Sequence, residues 1–169
     1  MAECSGRVNI SGNGNPWLWV GTCPQPAGAC DPNDNAKACR PAFQPILGKA
    51  WTYRCVCAAK QLTDDLSGTQ AEVEKQFPQP QKATNETLPR VEVDNSNKDC
   101  ELKVATVTIG GKLNVIAWCP AKCVSDTKGK DKTCVLAFKD AVVPAIDGKN
   151  PLHVITFSCI CMAKKDAPQ

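Results

Sequence analysis

Twelve cysteines in 169 residues give this chain its greatest concentration of chemistry. Sulfur at that density serves as disulfide, as thiolate ligand for a soft metal such as copper(I) or zinc, or as nucleophile. Spacing separates these uses. The Cys-x-Cys motifs at Cys55–Cys57 and Cys159–Cys161 suit a thiolate site. Structural zinc sites, however, space knuckle ligands by about two to four residues, and only Cys119 and Cys123 do so. There is no Cys-x-x-Cys for thioredoxin-like exchange. An even cysteine count in small, thinly cored segments reads as a disulfide framework in an oxidising compartment. Cys4, Cys23, Cys30, Cys39, Cys55, Cys57, Cys100, Cys119, Cys123, Cys134, Cys159 and Cys161 are therefore read as structural bridges, with no cofactor and no metal. A thiolate metal-binding protein is the alternative.

Other reactive groups are sparse. His153 is the single histidine, with no counterpart elsewhere, and no Gly-x-Ser-x-Gly elbow or Gly-rich phosphate loop accompanies it. A hydrolase centred on His153 is the least supported reading, and the expectation is a non-catalytic protein. Asp31-Pro-Asn33-Asp34-Asn35 starts like a calcium loop but has Ala36 and Ala42 where glycine and glutamate belong. Lys122, Lys128, Lys130 and Lys132 crowd one segment, a candidate contact for an acidic polymer. No aromatic residues interleave to stack bases, which disfavours nucleic acid. Asn9 and Asn85 stand in N-glycosylation sequons.

The elements that position these groups come in two matching sets. Eighteen residues separate Cys4 from Cys23, and eighteen separate Cys100 from Cys119. Pro24 and Pro120 follow the second cysteines. Cys39 and Cys134 each open a Cys-x-x-Ala-Phe stretch, and each set closes with Cys-x-Cys before Lys60 or Lys164. The pattern reads as one six-cysteine unit duplicated in tandem: residues 1–60, a linker over 61–96, and residues 97–169. Six cysteines allow about 15 connectivities, and spacing chooses none of them.

Alternation assigns an all-β, disulfide-rich fold in which each unit opens with a hairpin. In the first, Asn13-Gly14 is a two-residue turn signal that sets Cys4 opposite Cys23, Val8 opposite Trp19 and Ile10 opposite Trp17. In the second, a Gly110-Gly111 turn competes with a four-residue loop from Thr108 that keeps Cys100 opposite Cys119. Later strands fall near residues 50–58 and 152–162. Leu62, Leu66, Val73 and Phe77 lie at helical spacing, so the linker is expected to hold a short helix, ended by Pro78 and Pro80.

The net charge is +3, and no apolar run is long enough for a membrane-spanning helix. No basic segment followed by an apolar one marks a signal peptide at the start. These features together describe an extracellular, disulfide-stapled protein that acts as a structural subunit or binding module toward a protein, a glycan or itself. Segments 24–35 and 122–132, which differ most between the units, are the expected contact loops. Alkylation should find no reactive thiol in the native protein and twelve after reduction; free thiols in the native state would remove the framework.

Overall fold

The structure, a computed structural model, describes residues 3–4, 7–10, 19–23, 30, 37–44, 51–59, 69–76, 90–120, 122–126, 131–143 and 152–166. Strands β1 (Glu3–Cys4), β2 (Arg7–Ile10), β3 (Trp19–Thr22), β4 (Lys37–Gln44) and β5 (Thr52–Ala59) come from the first cysteine set. Helix α1 (Gln70–Gln76) and β6 (Arg90–Asp94) follow, then β7 (Lys103–Ile109), β8 (Lys112–Trp118), β9 (Lys132–Val143) and β10 (Leu152–Ala163). A single 3₁₀ turn spans Lys164–Asp166. Among the described residues the fold is all-β apart from α1 and this turn, as alternation and turn chemistry require.

The strands form two five-stranded sheets, ordered β1-β5-β4-β8-β7 and β2-β3-β9-β10-β6. Each takes strands from both halves of the sequence. In the first, β4 pairs with β8 through Ala42↔Ile116 and Phe43↔Val115. In the second, β3 pairs with β9 through Trp19↔Phe138, Val20↔Ala137 and Gly21↔Leu136. The disulfides do not cross: Cys4–Cys39, Cys23–Cys55 and Cys30–Cys57 lie in one half, Cys100–Cys134, Cys119–Cys159 and Cys123–Cys161 in the other. Both sets join first to fourth, second to fifth and third to sixth cysteine. Covalent bridges thus stay within 1–60 and 97–169, while hydrogen bonds and core join the two.

The core lies where the halves meet. Phe43 packs edge-on against Phe138 and Phe157 with ring centroids 4.9 and 4.7 Å apart, and Tyr53 stacks on Phe138 at 5.9 Å. Val104, Val115, Leu136, Ile155 and Val91 close around these rings. A Cβ on Gly21 would meet Phe138 Cε1 and Tyr53 Cε2, each at 3.2 Å, so this strand passes close because it has no side chain there. Tyr53 donates its hydroxyl hydrogen to the Thr22 carbonyl at 3.0 Å. The opposite face of the first sheet is buried too, around Ala42, Val56, Ala58, Ala105, Ile116 and Trp118.

Several expectations shift. The first hairpin pairs two residues away from the cysteine-opposed register, Arg7 facing Thr22 and Ile10 facing Trp19, and the second takes the Gly110-Gly111 alternative rather than the four-residue loop, Lys103 facing Trp118 and Ile109 facing Lys112. Cys4 instead faces Cys55. In the second hairpin the cause is the Gly110–Gly111 turn, whose φ values of 59° and 77° suit the positive-φ turn that matches strand twist. The slip of two preserves which residues share a face.

The segment 61–96 is also more than a connector. Thr69 caps α1, its hydroxyl accepting from Glu72 N–H at 3.2 Å, and α1 buries Val73 in the common core. Of the helix-spaced residues, Leu62, Leu66 and Phe77 lie outside the described residues. β6 pairs in parallel with β10 from Val154↔Arg90 to Ser158↔Asp94. The side-chain amide of Gln70 accepts from Val93 N–H at 2.8 Å and donates to the Val91 carbonyl at 3.2 Å, standing in for a further strand along this edge.

A shared core predicts shared unfolding. Phe43→Ala should cost about 3–5 kcal/mol and lower one common transition, read by amide exchange in both β5 and β10; exchange that rises in one half alone would separate them. Burial also holds the Tyr53 phenol well above its ordinary range. The folded state therefore favours the protonated ring, and its contribution is present below about pH 10 and lost as pH rises further. Ultraviolet titration of the single tyrosine should show phenolate only with alkaline unfolding.

Candidate interaction surface

The segment from Cys119 to Cys134 is tied down three times. Cys119 is bridged to Cys159 and Cys123 to Cys161 on β10, and Cys134, in β9, to Cys100. Between these ties the backbone is held by two aspartates. The Asp99 carbonyl accepts from Val124 N–H at 3.0 Å and its Oδ1 from Ser125 N–H at 2.9 Å. Asp99 is held in turn by Asn97, whose Oδ1 accepts its N–H at 2.9 Å and whose Nδ2 donates to the Cys159 carbonyl at 3.0 Å. Asp126 Oδ2 accepts from both Asp131 and Lys132 N–H groups, at 3.2 and 3.0 Å, and so closes the loop onto the start of β9.

This bracing turns neighbouring residues opposite ways. Cys123 is 0% exposed, whereas Val124 is 73% exposed. A β-branched apolar side chain is thereby fixed in solvent, at a point where both following amides are already occupied. Lys122, two positions before it, and Lys132, at the start of β9, are exposed. Lys132 faces Ala163 across the ladder, and the Lys164 N–H donates to the Asp131 carbonyl at 2.9 Å, so the exposed Lys164 and Lys165 join the same end of the sheet. Asp126, which interrupts the lysines in sequence, accepts two backbone amides on one carboxylate oxygen.

Of the residues singled out from sequence, Lys122 and Lys132 are brought to this surface, while Lys128 and Lys130 lie outside the described residues. Segment 24–35 does too, apart from Cys30, as does Asn85. Asn9 stands in β2 opposite Val20, and His153 in β10 opposite Val142. Val124, Asp99, Asn97, Lys164 and Lys165 were not foreseen as parts of a site. The Asn97-x-Asp99 spacing, which sets an acceptor two residues before the amide it holds, was the available signal.

All twelve cysteines are bridged. Three groups of sulfurs converge within 4.8 Å: Cys4, Cys30 and Cys57; Cys23, Cys39 and Cys55; and Cys100, Cys123 and Cys134. Each group is one disulfide touched by a sulfur of the next, and a bridged sulfur is not a thiolate ligand. Such a cluster and a thiolate metal centre belong to different redox states of the same residues.

No known protein family, curated protein or solved structure matches this chain.

Because the Asp99 carboxylate holds the Ser125 amide, Asp99→Ala should speed exchange of that amide while leaving the β7–β8 ladder protected. The loss should be about 1–3 kcal/mol, felt locally. Unchanged exchange at Ser125 would mean that the bridges and the main-chain bonds alone hold the loop.

Proposed function

We propose that this chain is a non-catalytic, extracellular binding module, built as a duplicated six-cysteine unit, which docks a protein partner through the Lys122–Lys132 segment. The observation that carries the reading is Val124, held 73% exposed on a loop tied by three disulfides. A loop ordered before contact loses little conformational entropy on binding, so its apolar area and charge go further toward affinity. The exposed lysines at this end favour a partner with acidic groups around an apolar contact. A purely anionic polymer would use the lysines and leave the valine idle, which is why a protein is preferred. Six bridges are compatible with an oxidising compartment, and secretion accounts for them most simply.

A photo-reactive side chain at position 124 should capture the partner from extracellular fluid. Capture should fall at least about tenfold both for charge reversal at Lys122 and Lys132 and when Val124→Asp is introduced beside the probe at position 125, since one hot-spot residue contributes about 2 kcal/mol or more. The lysine variant should also flatten the salt dependence. If soluble heparin-like glycan displaces everything captured and Val124→Asp changes nothing, the surface is a polyanion site.

A further inference from the structure

The two ladders that join the halves are the same ladder used twice. Cys100 and Cys119 each lie 96 positions after their counterparts Cys4 and Cys23, and Cys134 lies 95 after Cys39. Shifting by these offsets carries Trp19↔Phe138 onto Val115↔Phe43, and Val20↔Ala137 onto Ile116↔Ala42. The hairpins obey the same mapping, since Arg7↔Thr22 becomes Lys103↔Trp118. So does the pairing after the fourth cysteine, where Cys39↔Cys57 corresponds to Cys134↔Cys161. Each half lends its opening hairpin to the sheet that contains the other half's closing hairpin. The four central rings divide likewise, with Phe43 and Tyr53 from one half and Phe138 and Phe157 from the other.

We propose that this inter-half surface is also a surface between copies: two chains exchange halves, and each first half closes on the second half of its partner. The partner is a second copy of this chain because only that copy carries the matching strand registers and rings. No disulfide joins the halves, so they part without breaking any bridge. Within one chain the halves meet at an effective concentration on the order of millimolar, so the closed monomer dominates in dilute solution. Exchange appears when chains are opened and allowed to close while crowded, the usual route to swapped dimers. This inference rests on the fold and is independent of the lysine-loop reading.

The test uses full-length protein opened in guanidinium without reductant and renatured at graded concentrations, followed by size exclusion with light scattering. A dimer fraction that rises with protein concentration, with monomer-like circular dichroism, is expected. Mixed chains carrying Ala42→Cys and Ile116→Cys should then cross-link between those two positions, which oppose each other only across the inter-half ladder. Where either variant fails to fold, isotope-filtered nuclear Overhauser contacts between Phe43 of a labelled wild-type chain and Phe138 of an unlabelled one read the same contact. Monomer alone at every concentration overturns the proposal. So does a dimer that shows neither the cross-link nor the ring contact.

Discussion

Phe43 and Phe138 meet edge to face where the first and second halves of the chain are stitched together, and most of the architecture follows from that contact. Each ring sits on the strand that carries its half's fourth cysteine, beside a strand of the other half. Bringing them together aligns β4 with β8 and β3 with β9, and so decides the order of both sheets. Tyr53 and Phe157 enter as the strand partners of these two rings. Gly21 supplies the close passage that lets Tyr53 lie flat on Phe138. An edge-to-face aromatic pair contributes about 0.5–1.5 kcal/mol beyond the area it buries. Its larger effect is directional, because apolar burial alone would not select this register.

The disulfides act on a different part of the problem. Each closes a loop of 27 to 40 residues and, in the chain-entropy account, contributes on the order of 3–4 kcal/mol by restricting the unfolded chain. That stabilisation is confined to one half at a time. Union of the halves depends on noncovalent contacts of long sequence separation, the kind that form late and slowly. The bridges also serve the surface: the same three that staple the second half hold the segment carrying Val124 and Lys122.

The alternation of apolar and polar residues, the Cys-x-x-Ala-Phe landmarks and the closing Cys-x-Cys strands were legible because they express local periodicity, and with them the all-β class. The parity of each hairpin was legible for the same reason. The register was legible only in part: a two-residue loop at Asn13-Gly14 would set Cys4 opposite Cys23, whereas the first ladder pairs Arg7 with Thr22, and of the two turns open to the second hairpin the ladder follows Gly110-Gly111. Pro41 stands inside β4 although proline is seldom found in a central strand; it is tolerated at a point facing Cys55, just before the pairing with β8 begins. β6 looked like linker because a parallel partner some sixty residues away leaves no local trace. Connectivity was hidden for a geometric reason. Cys39 faces Cys57, Cys4 faces Cys55 and Cys134 faces Cys161, yet none of these opposed pairs is bridged. Of the surface, the lysines were visible as a charge cluster, but Val124 becomes conspicuous only once Cys123 is seen to point inward.

That no bridge spans the halves has a mechanical meaning. If the chain were pulled from its ends, each half would behave as a short cross-linked knot, and the ladders between the halves, only two and three residue pairs long, would be the elements to yield. The larger part of the released length would come from the stretch between Cys57 and Cys100, roughly 150 Å when fully drawn out. Such a chain would give way by one long step and then stiffen, its cysteine bridges still closed and each half still able to find its counterpart when the load is removed.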